Sequence, residues 1–207
     1  MEQTIRDKIL EIKKSVRLAM NGVVSSLQRK QGLDYKINFG VEIPRLKEIA
    51  SHTPKERSLA IALWNENIRE CKMLAIFLMP VSEFTAADAQ KWIAESPFTE
   101  VADQLSMHLL RHLDNAATQS LEWIEKGSAL FPYCGFLTLS HLFREGKPLA
   151  AADEQRYLKA AADILSSNHG NRVLQNCAYT SLQRYSSIDA NCHKRVTEHS
   201  TLQHFFI

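Results

Sequence analysis

Three groupings of side chains in this sequence have types and spacings suited to chemistry. The first is a single acid. In "ESPFTEVADQLSMHLLRHL" (Glu95 to Leu113), Asp103 falls close to Met107 and Leu110, inside an amphipathic pattern. A carboxylate there can be an early-helix acid favoured by the helix dipole, worth about 0.3–1 kcal/mol. It can equally be a hydrogen-bonded structural acid, or a catalytic group that stabilises developing positive charge or orients a water. The second grouping is His108 and His112, four apart in "HLLRH", a spacing that can bind a metal on one helix face. No Glu follows His108 and no third ligand is assignable, so hydrogen-bonded, partly buried imidazoles are expected and no metal site. The third is "NHGNRVLQN" (Asn168 to Asn176), a polar turn opening a helix, where backbone N–H groups and Arg172 could hold a phosphate or simply water. Walker A, GxGxxG, GxSxG and zinc-finger spacings are absent, and no cofactor is expected.

The elements that must position these groups read as helices from end to end, with no long strand-like alternation. Ile5, Ile9, Ile12, Val16 and Met20 make one stripe on a first helix. "QGLDYKINFG" is a loop, while "HTPKER" and "ESPF" each place a capping Thr or Ser before a Pro at the first helical position. Four segments then share one plan: a helix ending near a large apolar residue, a short link, and a second helix. The endings are Trp64, Trp92, Trp123 and Leu165, spaced 28, 31 and 42 residues apart, and the second helices are predicted over 69–79, 100–113, 131–143 and 172–185. Ala75, Ser106, Gly135 and Ala178 lie in those second helices, where small residues let helices approach closely. The tryptophans read as core or inter-repeat packing. The expected fold is all-α: a curved solenoid of antiparallel helix pairs, an alpha-alpha superhelix of HEAT-like repeats, over a single domain 1–207. Its concave face, built mainly from the second helices, would suit a long partner.

Composition sets the outer bounds. The 207 residues are 45% hydrophobic and 23% charged, as in a soluble globular protein, and "MLAIFLMPV" is too short to span a bilayer. "MEQTIRDKILEIKK" reads as a charged amphipathic helix and not a signal peptide, so a cytoplasmic location and no membrane partner are expected. Cys71, Cys134, Cys177 and Cys192 form no CxxC pair and read as free thiols. The net charge of +2 is unevenly spread: +5 over residues 1–72, −6 over 73–125 and +3 over 126–207. Basic ends around an acidic middle fit a polyanion partner, or ordinary solvated faces. The apolar tail "TLQHFFI" either docks on the last repeat or forms an interface.

"NFGVEIPRLKEIA" (Asn38 to Ala50), "ALWNENIRECKMLAIFLM" (Ala62 to Met79) and "EVADQLS" (Glu100 to Ser106) stand in an order that resembles the HEAT-like repeat alkylpurine DNA glycosylases, the DNA alkylation repair family. The likeness is strongest over residues 35–110, as in a divergent member. It implies an α-solenoid that holds double-stranded DNA, alkylated or not. It also implies a monofunctional glycosylase chemistry, hydrolysis of the N-glycosidic bond of N3- or N7-alkylated purines. One Asp stabilises the sugar cation, without the base flipping most glycosylases use. The family's Trp-Asp-Leu-Val-Asp phrase falls on Thr99 to Asp103, so its acid is matched by Asp103.

Other positions depart from that pattern. Thr99 stands for the first Trp, with Phe98 adjacent; in "LFPYCGFLTL", Phe131 stands for a Trp, and Tyr133 and Cys134 for an Arg pair. The last aromatic falls on Thr180, with Tyr179 beside it. A Trp face beside a cationic base contributes about 1–2 kcal/mol, and an Arg fixes a phosphate in register. The resemblance therefore implies Asp103 as catalytic and Phe98, Tyr133 and Tyr179 as stacking groups on DNA. Charge and location suggest Lys36, Arg45, Arg69, Lys72 and Arg172 as backbone contacts. Two further readings stay open: a non-catalytic helical-repeat scaffold binding DNA or a protein partner, and related excision chemistry on another lesion.

Overall fold

A computed structural model describes residues 4–127, 130–167 and 170–205. Among the described residues there are twelve α-helices and no strand, only an isolated bridge between Ile37 and Ile68. The helices are α1 (Ile5–Leu18), α2 (Gly22–Lys30), α3 (Ile43–Ser51), α4 (Arg57–Trp64), α5 (Arg69–Leu78) and α6 (Ala86–Ala94). They continue as α7 (Thr99–His108), α8 (Ala116–Lys126), α9 (Phe131–Arg144), α10 (Ala151–Ser166), α11 (Arg172–Ser186) and α12 (Ala190–Glu198). None is long and apolar enough to cross a membrane. The all-α reading is thus met: the predicted second helices α5, α7, α9 and α11 start within a residue of expectation, and α4/α5, α8/α9 and α10/α11 pack as pairs.

The chain forms two compact units, Met1–Asp88 and Ala89–Ile207. In the first, α1 packs on α3 and α4, and α5 packs on α3 and α4. Of the predicted α1 stripe, Ile12 and Val16 are buried, but Met20 is 62% exposed because α1 stops at Leu18 and Asn21 starts a new helix, accepting the N–H groups of Val23 and Val24. The loop before α3 is locked onto α5 by a buried ion pair. Glu70 accepts the N–H groups of Phe39 and Val41, both at 3.2 Å, while Arg69 donates to the Val41 carbonyl at 2.8 Å and lies 3.3 Å from Glu70. Gly40, at φ +71°, lies where a Cβ would collide with the Asn21 carbonyl. Breaking such a buried pair by removing one partner costs about 3–5 kcal/mol.

Two helix starts differ from the sequence reading. Thr53 does not cap α4; its N–H bonds the Ala50 carbonyl in the turn ending α3, and α4 begins at Arg57. Ser96 does not cap α7, since its hydroxyl donates back to the Trp92 carbonyl at 2.7 Å and Phe98 is the residue before the helix.

In the second unit, α9 packs against α7, α8 and α11. The core is aromatic: Phe136, Phe143, Tyr157 and Tyr185 meet at ring-centroid distances of 5.0–6.1 Å. Tyr157 donates to Ser181 at 2.8 Å, and buried Glu154 accepts from Tyr185 and Arg195. Trp64, Trp92 and Trp123 are each 1% exposed, so all three serve packing. Of the tail, Leu202 is buried and the Tyr179 hydroxyl donates to the Phe205 carbonyl at 3.5 Å; Phe206 and Ile207 lie outside the described residues.

The tightest helix approach predicted from small residues is met at Gly135. A Cβ there would sit 2.5 Å from the Ser120 carbonyl and 2.6 Å from an Ile124 side-chain carbon. Gly135→Ala must therefore push α9 off α8, and chemical denaturation should show a loss of about 1–3 kcal/mol, as overpacking in a dense core does.

Candidate nucleic-acid site

Asp103 lies in the second turn of α7; Glu100, not Asp103, is the first-turn acid that complements the helix dipole. The early-helix reading of Asp103 is corrected on that ground. Its carboxylate is half-buried, and its Oδ1 accepts the Tyr133 hydroxyl from α9 at 2.7 Å. Burial raises its pKa, the Tyr133 hydrogen bond works against that rise, and Glu100 adds to it by repulsion. Among the described residues no cation pairs with it. Tyr133 has its own ionisation pushed up by burial, by its hydrogen bond to Asp103 and by that carboxylate's charge, so it stays a neutral donor. Cys177 of α11 donates to the Tyr133 carbonyl at 3.7 Å, and burial raises the Cys177 thiol to about 12. The thiol is thus unionised at neutral pH, and Asp103 is the acid of this cluster.

Tyr133 also borders a groove of about 310 Å³ between α9 and α11, lined in addition by Ser140, Asn176, Cys177, Thr180 and Arg184. Phe131 is 4% exposed and carries Lys126 over its ring at 3.9 Å, so it presents no free face to a base. Phe98 is half-buried just ahead of α7, Tyr179 is half-buried on α11, and Thr180 is exposed.

The predicted backbone contacts sort by burial. Lys36 and Arg172 are exposed. Arg45 is exposed and engages Glu48 at 2.5 Å, one turn on. Lys72 is held by the Trp64 carbonyl at 2.8 Å and lies 4.4 Å from the Trp64 ring. Arg69 is corrected: it is 2% exposed and spent on the buried pair with Glu70, so it cannot reach a phosphate. The α11 start is also less open to an anion than its sequence implied. Asn171 accepts the N–H groups of Val173 and Leu174 at 2.9 and 3.4 Å, while Asn168 and His169 lie outside the described residues. His108 and His112 do not share one helix, because α7 ends at His108 and His112 is in a 3₁₀ turn, Leu110–His112. Among the described residues no three potential ligands gather as a metal site. All four cysteines are free.

Residues that sequence reasoning passed over are Arg111, His141, Arg144 and Arg184, which stand at the ends of successive second helices. Their signal was positional: each follows a small residue, Ser106, Ser140 or Ser181, near a helix end, where a cation also complements the helix dipole.

With this geometry in place, the comparisons are specific. The family model described as "DNA alkylation repair enzyme" matches residues 31–196. Among solved structures, one described as "A new family of proteins related to the HEAT-like repeat DNA glycosylases with affinity for branched DNA structures" superposes with a TM-score of 0.77. The two are 15% identical, and the match covers 89% of this chain and 78% of the other. The fold is therefore that of the HEAT-like repeat proteins. A search of curated proteins gives no match.

Because the Asp103 pKa is raised on folding, the native state holds its proton to higher pH than the unfolded chain. The carboxyl's contribution to stability is then complete below its unfolded pKa and declines as pH rises towards its folded pKa. Asp103→Asn keeps an oxygen for Tyr133 and removes the charge. Thermal melts should show the variant matching wild type at low pH and melting higher at neutral pH, the gap opening across that window.

Proposed function

Since the chain belongs to the DNA alkylation repair enzyme family, we propose that it binds DNA and uses Asp103 to stabilise positive charge on an alkylated purine nucleotide as its N-glycosidic bond breaks. The observation that carries this reading is the half-buried, cation-free carboxylate oriented by Tyr133. A desolvated anion interacts strongly with a cation brought to it, and here the cation would come with the substrate: an N3- or N7-alkylated base, and then the sugar of the transition state. Tyr133 fixes the carboxylate without neutralising it, which an arginine at the same place would do in part. The cost is a lost phosphate contact, so binding rests on Lys36, Arg172 and other surface cations. Phe98 and Tyr179, both half-buried, are the aromatic groups proposed to contact DNA.

A second reading is favoured by Phe131, whose ring is buried and covered, and by Thr180, where the family's aromatic is missing. In that reading the protein binds DNA without excision, and branched DNA is the form to test because the structurally similar protein has affinity for it.

Incubation of enzyme in excess with methylated duplex DNA should release 3- or 7-methylpurine. Asp103→Asn should lose that release by at least tenfold while its circular dichroism spectrum is unchanged. No release above background from wild type, with tight binding to a four-way junction, sinks the excision reading and selects the second.

A further inference from the structure

The basic groups at the ends of α7, α9 and α11 are arranged as a site of their own. Arg184 is half-buried, and its guanidinium donates to the Ser140 hydroxyl at 2.6 Å, Ser140 itself being 1% exposed. Arg184 also lines the 310 Å³ groove with Asn176 and Thr180. Arg111, from the 3₁₀ turn after α7, lies 3.2 Å from one oxygen of Glu145, whose other oxygen is taken by Lys147 at 2.6 Å. Arg144 and Arg184 have no carboxylate partner among the described residues.

The charges converge on His141. Burial and then the repulsion of Arg111, Arg184 and Arg144 lower its pKa to about 4, with Glu145 the one group acting in the other direction. Arg184 is likewise lowered by burial and then by Arg144. Arg184 is pinned by a buried hydroxyl of α9, Arg111 reaches the end of the same helix at Glu145, and Arg144 lies between these two points, so the three cations share one end of α9 where an anion would be well placed.

We infer that Arg111, Arg144 and Arg184, with Ser140, Asn176 and Thr180 beside them, form a phosphodiester-binding row on the nucleic-acid backbone, distinct from the Asp103 cluster. This rests on the DNA-binding reading above. Arg184 supplies a positioned guanidinium for phosphate oxygens, Arg144 an exposed charge, and the hydroxyl and amide groups the remaining donors. The row carries no base selectivity and sets only where the strand runs. His141 reports on it, because a bound phosphate lends negative charge to the set of groups that suppress its protonation.

The test follows the His141 imidazole by NMR, its resonances assigned with His141→Gln, in wild type, Arg184→Gln and Arg144→Gln/Arg184→Gln. A short DNA duplex, and separately inorganic phosphate, serve as probes. The wild-type His141 pKa should rise by about one unit with either probe, and the double variant should show no rise. In duplex binding, the log Kd against log salt slope should fall by about one per arginine removed. Binding with an unchanged slope and an unmoved His141 overturns the row and leaves the DNA-binding reading standing. No duplex binding, but a phosphate-induced rise lost in the double variant, keeps the anion site and overturns the DNA reading. No response to either probe overturns both. Cooperative thermal melts and unchanged circular dichroism for Arg184→Gln and the double variant separate these outcomes from misfolding.

Discussion

The approach of α9 to α8 across Gly135 is the constraint on which the second unit's chemistry depends. Without a side chain at 135, α9 settles against the Ser120 carbonyl and Ile124, and it can then touch α7 and α11 as well. Nearly every residue from Phe131 to Phe143 is buried as a result. The few that keep some exposure, Tyr133, Leu137 and His141, are presented at set heights along a helix with no freedom to shift. Tyr133 meets Asp103 from α7, and about two turns further along Ser140 meets Arg184 from α11. One close contact between backbones thus registers two polar clusters of opposite charge.

Those clusters use burial in opposite ways. At Asp103 it withdraws water from a carboxylate and leaves an anion that is costly alone and useful beside a cation. At Arg184 it withdraws water from a cation that Arg144 already crowds, and beside it His141 is held neutral by burial and by the same arginines. In each, the folded state carries an unfavourable charge that stability alone would have removed, the pattern expected where function opposes stability.

Much of the fold was legible because helix pairing is written in local pattern. The second helices start within a residue of their predicted positions, and Trp64, Trp92 and Trp123 occupy the core as their context implied. Helix starts were less legible: Thr53 and Ser96 are sound capping residues in type, yet each is spent closing the preceding helix. Of the site, the acid was found through its alignment with a family phrase, but its partner was not foreseen. Tyr133 was read as a possible stacking ring, and the structure places its hydroxyl on Asp103, 30 residues away. Arg69 failed for the converse reason, since charge in sequence does not reveal that the loop at Val41 folds back to claim it. The arginine row escaped because each member, taken singly, looks like an ordinary cation at a helix end.

The lock around Glu70 makes the loop before α3 and the start of α5 one mechanical piece. Glu70 holds two backbone amides and an arginine, Gly40 admits no side chain, and Asn38 accepts the Gly40 N–H and donates to Gln28. These residues satisfy one another, so no one of them changes without stranding the rest. The Asp103 cluster in the second unit is joined more thinly, by one hydrogen bond at 2.7 Å between two half-buried side chains. Removing any member of the Glu70 joint strands several buried partners at once, whereas parting Tyr133 from Asp103 frees two groups that water can reach, so the first is a hinge pin and the second a latch.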